Sequence, residues 1–71
     1  MRRIPPRAHK IARKLGILER AAFWYWIEQR AQTPRNEVFS IYLPSLRATF
    51  GLSSRQLGSV VQAVDQLDTH G

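Results

Sequence analysis

The 71-residue chain contains no cysteine. That excludes disulfides and any thiolate-ligated metal centre, two of the usual staples of small domains. A domain of this length buries only about 60% of the surface that its unfolded chain exposes, so a thin core is expected and a homodimer is one route to further stability. No apolar run approaches the roughly 18 residues that a transmembrane helix needs. No apolar h-region follows the basic first residues, so a secretory leader is not expected either. The first 23 residues are arginine-rich but lack serine and threonine, unlike an organellar transit peptide, and a cytoplasmic protein is expected. The only two histidines, His9 and His70, stand far apart with no ligand motif around them, so no metal or cofactor is expected. There is no glycine-rich phosphate loop, nucleophile elbow or two-histidine motif. Asp65 and Asp68 lie three apart on a predicted helix with no nucleophile or base beside them. The sequence does not read as an enzyme.

Acidic residues are absent from the first sixteen positions, which hold Arg2, Arg3, Arg7, Lys10, Arg13 and Lys14. The rest of the chain has as many acids as bases, so the whole net charge of +6 sits in that segment. A cationic lead-in to a neutral domain is a frequent nucleic-acid device, because each phosphate neutralised releases counterions. The plainer reading is a solvated tail. Pro5 and Pro6 suit the first turn of a helix, and Gly16 suits its end. Ala8, Ile11, Ala12 and Leu15 fall on one face, with the bases mostly on the other. Packing Ile11 and Leu15 onto the domain is the simplest use of that face; membrane attachment by two large apolar residues would be weak.

A second helix is predicted over Ile17–Gln32. Phe23-Trp24-Tyr25-Trp26-Ile27 is apolar nearly all round, which calls for burial on more than one side. Phe23, Trp24, Trp26 and Ile27 are therefore candidates for a protein interface, with the domain's own core as the alternative and base stacking on Trp24 or Tyr25 ranked below both. Pro34 and Asn36 end this helix. In residues 38–43, Val38, Ser40 and Tyr42 alternate with Phe39, Ile41 and Leu43. That pattern predicts a short strand with the second set inward. No partner strand is visible, so it either pairs with the same strand of a second copy or is an irregular extended linker.

The last 29 residues read as a short helix from Pro44 or Ser45 to Phe50, a turn at Gly51, and a longer helix over residues 54–70. Ser53 and Gln56 form a capping-box pattern at its start. Leu57, Val60, Val61, Val64 and Leu67 make its apolar stripe. This is the outline of a helix-turn-helix, whose second helix enters the major groove by its first turns. Arg55 is the candidate for guanine, and Gln56 or Gln62 for adenine. Ser54 and Ser59 suit phosphates or base edges.

Leu43-Pro-Ser-Leu-Arg47 resembles the leucine-proline-serine-x-arginine start of helix two in winged-helix regulators of the GntR type. Ser59 to Gly71 is similar to the end of that family's recognition helix. The resemblance implies a winged-helix DNA-binding domain with Ile17–Gln32 as first helix and Val38–Leu43 as first strand. It also implies Arg47, Arg55 and Ser59 as DNA contacts. The family's central turn is replaced by Ser53-Ser-Arg-Gln-Leu57, and no wing hairpin is read in these residues.

The expected fold is mainly α: a basic arm with a short helix (residues 1–16) and a helix-turn-helix-like domain (residues 17–71) of three or four helices with one short strand. The expected function is a small DNA-binding regulator or architectural factor, of the kind phages and plasmids encode. It would use the helix over residues 54–70 and the arm on double-stranded DNA, with RNA not separable. The competing reading is an adaptor or inhibitor that docks on protein through the aromatic helix.

Overall fold

The computed structural model describes residues 4–69, so Arg2, Arg3 and His70 lie outside the described residues. Four α-helices follow one another: α1 (Arg7–Arg13), α2 (Ile17–Gln32), α3 (Leu43–Phe50) and α4 (Ser54–Thr69). Local chemistry accounts for their ends. Thr33 turns extended after α2, its hydroxyl donates to the Gln29 carbonyl at 3.0 Å, and Pro34 then bars helix in the residue before it. Gly51 ends α3 in the left-handed region at φ 65°, and the Leu52 N–H reaches back to the Arg47 carbonyl at 2.9 Å. Ser53 and Gln56 close a reciprocal capping box. The Ser53 hydroxyl accepts from the Gln56 N–H at 3.2 Å, and the Gln56 amide oxygen accepts from the Ser53 N–H at 2.8 Å.

The central pair is α2 and α4, each of 16 residues, and their packing is the most extensive in the molecule. The two run in the same direction. At their starts the Gln56 amide nitrogen donates to Glu19 at 3.4 Å, and at their ends Arg30 pairs with Asp68 at 2.9 Å. Phe23 and Ile27 of α2 and Val60, Val64 and Leu67 of α4 belong to one buried cluster. α1 and α3 each pack against both central helices. α1 runs antiparallel to α4, because Arg7 at its start meets Leu67 and Leu15 just past its end shares a groove with Ser59. Small residues line this contact: Ala8 and Ala12 of α1 and Ala63 of α4 are buried, which lets the two helices approach closely. The described part of the basic arm, residues 4–16, is thus packed into the domain, with Ile11 and Leu15 against the core as the amphipathic pattern indicated.

Three details differ from the sequence reading. There is no strand among the described residues; residues 38–42 form no ladder, with Tyr42 extended (φ −89°, ψ 107°) and the alternating exposure of 38–42 in keeping with an extended run. Their alternation does set orientation, with Val38, Ser40 and Tyr42 exposed and Phe39, Ile41 and Leu43 half-buried. The extension has a geometric cause. Parallel α2 and α4 require the chain to travel back along about 24 Å of helix, and the five residues 38–42 cover about 16 Å of it when extended. Within α4, Val61 lies at the exposed edge and Ala63 is buried in its place, because the second wall of the core is α1 and only a small residue fits there. Phe23 at 0% and Ile27 at 2% exposure are core residues, not interface residues, while Trp24 and Trp26 are half-buried against that core.

Phe23→Ala is expected to cost about 3–5 kcal/mol, a large part of the stability of so small a domain. Val38→Ala should change stability by less than about 0.5 kcal/mol. Urea denaturation of the two variants beside the parent checks both values.

Candidate nucleic-acid interface

Some bases are engaged within the fold and others have no partner among the described residues. The Arg7 guanidinium donates to the Leu67 carbonyl in the last turn of α4, where the helix has no N–H of its own to offer. Arg20 binds the end of α1: at 3.1 Å its Nε donates to the Ala12 carbonyl, which also accepts from the Leu15 N–H, and at 3.1 Å its terminal nitrogen donates to the Leu15 carbonyl. Arg30 bonds Asp68 at 2.9 Å, tying the ends of α2 and α4. These three arginines close helix ends. Arg7, a candidate phosphate contact in the sequence, is therefore an α4 cap instead.

Lys10, Arg13 and Lys14 are exposed on α1, as are Arg47 on α3 and Arg55 on α4, and none of these side chains has a hydrogen-bond or ion-pair partner among the described residues. Antiparallel packing of α1 on α4 brings Lys14 into a groove with Ser59, Gln62 and Gln66, floored by Ile11, Leu15 and Ala63. No acidic side chain lines it. Lys10 precedes Lys14 by one helical turn, and Arg55 precedes Ser59 by one, so both continue the polar rims of the groove. Asp68 lies on the opposite flank of α4, where it pairs with Arg30, and Asp65 is the exposed acid without an ion-pair partner among the described residues.

The structure brings together some of the residues singled out in the sequence and withdraws others. Ser59, Gln62 and Lys14 share one groove. Ser54 and Arg55 are exposed at the start of α4. Gln56 is half-buried with both ends of its amide engaged, one in the capping box and one on Glu19, so it is not free to bond a base. Ser59 donates to the Arg55 carbonyl at 3.3 Å and keeps its hydroxyl oxygen as an acceptor. Gln66 joins the groove without having been singled out; its spacing of one turn from Gln62 was the available signal.

Among the described residues no group of three or more His, Cys, Asp or Glu could hold a metal ion. No described helix is long and apolar enough to cross a membrane.

Arg7→Ala removes the guanidinium from the C-terminal end of α4 and is expected to lower stability by about 1–2 kcal/mol. Lys10→Ala and Lys14→Ala should each stay within about 0.5 kcal/mol of the parent. Thermal unfolding followed by circular dichroism separates the two classes. No family model, curated protein or solved structure matches the chain.

Proposed function

We propose that the chain binds nucleic acid, double-stranded DNA in the first place, with α4 and the cations of α1 as one continuous surface. The observation that carries this reading is the acid-free groove in which α1 sets Lys14 beside Ser59, Gln62 and Gln66. A major groove about 12 Å wide admits one helix, and the neighbouring phosphates are then within reach of the flanking element. α4 is the helix that enters, with Arg55 and Gln62 toward base edges. Lys10 and Lys14 on one flank and Arg47 on α3 neutralise phosphates. Asp65, next along the exposed face, limits the contact to the first half of α4. The short turn between α3 and α4 and the resemblance of residues 43–47 and 59–71 to GntR-type regulators support the same assignment, as does the net charge of +6. Transcriptional or architectural regulation is the role such a domain serves.

The competing reading, docking on protein through α2, moves to a different surface. With Phe23 and Ile27 in the core, the apolar residues that α2 leaves exposed are Ile17, Leu18 and Tyr25.

Fluorescence anisotropy with a short duplex tests the proposal. Three or four phosphate contacts give a log–log salt slope of about −3. Lys14→Ala is expected to make that slope shallower by about 1, and Arg55→Ala to cost about 1–3 kcal/mol on a preferred sequence. No binding in dilute buffer, or binding indifferent to both substitutions, rejects the assignment.

A further inference from the structure

The extended segment of residues 38–42 leaves its main chain open. Among the described residues, no main-chain hydrogen bond involves Val38, Phe39, Ser40 or Ile41. The neighbouring bonds are Glu37 N–H to the Pro34 carbonyl before the segment and Leu46 N–H to the Tyr42 carbonyl at its end. An extended backbone with free donors and acceptors is a template for pairing with another chain. Natural edges that stay single carry lysine, proline or a bulge. Residues 38–43 contain neither lysine nor proline. They instead expose two large apolar side chains on one side, Val38 at 93% and Tyr42 at 71%.

We propose that this segment pairs with the same segment of a second copy, antiparallel and two-fold symmetric about Ser40, so that the protein is a homodimer. The sequence of the segment is what selects a second copy as the partner. With Ser40 on the axis, Val38 lies opposite the second copy's Tyr42, and Phe39 lies opposite the second copy's Ile41. The symmetry repeats each pair. All four large cross-strand pairs then join an aromatic ring to a β-branched chain, a favourable combination in antiparallel ladders. Ser40 meets itself on the axis as a hydrogen-bonded pair, so that its N–H donates across the ladder. Glu37 falls opposite an apolar residue, so no like charges face each other. Moving the register by one residue would set the exposed side of one copy against the buried side of the other.

Two paired strands are marginal alone. Here the segment is anchored at Ile41, which packs against the core, and it lines an open groove with Trp26 of α2 and Val64 of α4. Pairing adds a ladder and sets Val38 of one copy against Tyr42 of the other, which reduces the exposure of both. The groove with Ser59 and Gln62 lies elsewhere on α4, so this dimer stands or falls independently of nucleic-acid binding.

Sedimentation of the full chain without nucleic acid, from about 5 to about 500 μM, is expected to show a reversible monomer–dimer equilibrium. Ser40→Pro removes the central N–H from an exposed, non-helical position and should raise the dimer Kd by about tenfold or more, with the monomer's circular dichroism unchanged. Because the chain has no cysteine, S40C introduces the only thiol; mild oxidation should yield a disulfide-linked dimer that Q32C does not form. A monomer across the whole range overturns the proposal. So does a dimer that Ser40→Pro leaves intact, one that Ile17→Lys on the exposed α2 face abolishes, or equal cross-linking of S40C and Q32C.

Discussion

The parallel pairing of α2 with α4 governs the rest of the molecule. Phe23 and Ile27 of α2 are buried in one cluster with Val60, Val64 and Leu67 of α4, and the α2–α4 packing is the most extensive in the molecule. Polar contacts at both ends hold the two helices in register, Glu19 with Gln56 at the starts and Arg30 with Asp68 at the ends. The second is a half-exposed ion pair, whose contribution to stability is small compared with core burial; its consequence is to neutralise Asp68 on the flank of α4 that faces α2. Parallel packing also dictates the crossover. The chain must run back along the pair before α4 can begin, and the extended residues 38–42 and α3 perform that return.

Arginine placement follows from the same packing. A four-helix chain of this size has helix ends close to one another, and their unpaired carbonyls attract cations. Arg7 and Arg20 answer two such ends, across 60 and 8 residues of sequence, respectively. The charge that remains outward is carried by side chains that close no helix: Lys10 and Arg13 of α1, and Lys14 just past its end at the groove with α4. Net charge alone therefore overstates what is available to an anionic partner. The relevant quantity is the subset of bases left over after the fold has used its share.

What the sequence made legible was local. The limits of α2, the turn at Gly51 and the Ser53–Gln56 cap could be read because each is set by residues within four positions of one another. What it hid was non-local. Arg7 and Leu67 meet only once α1 has packed on α4. Gln56 looked like a base reader because its second partner, Glu19, is 37 residues away. Ala63 was passed over because large side chains dominate a periodicity argument, whereas burial at that position depends on how closely α1 approaches. The strand over Val38–Leu43 failed for the converse reason: alternation reports which side chains face inward, but a ladder needs a second backbone, and the alternation carries no information about one.

The two surfaces proposed as functional occupy different flanks of α4. Ser59, Gln62 and Gln66 line the groove shared with α1, whereas Val64 and Asp68 face the extended segment. Helical geometry separates these sets by more than a quarter turn, so occupancy of one leaves the other accessible. A two-fold axis through Ser40 would therefore duplicate the cationic groove without covering it and present two α4 helices in a fixed mutual orientation. Their spacing would decide between two uses: a separation near one duplex turn, about 34 Å, places both on successive major grooves of one face. A markedly different separation leaves each copy to contact its own stretch of polyanion, joined to the other only through the Val38–Tyr42 ladder.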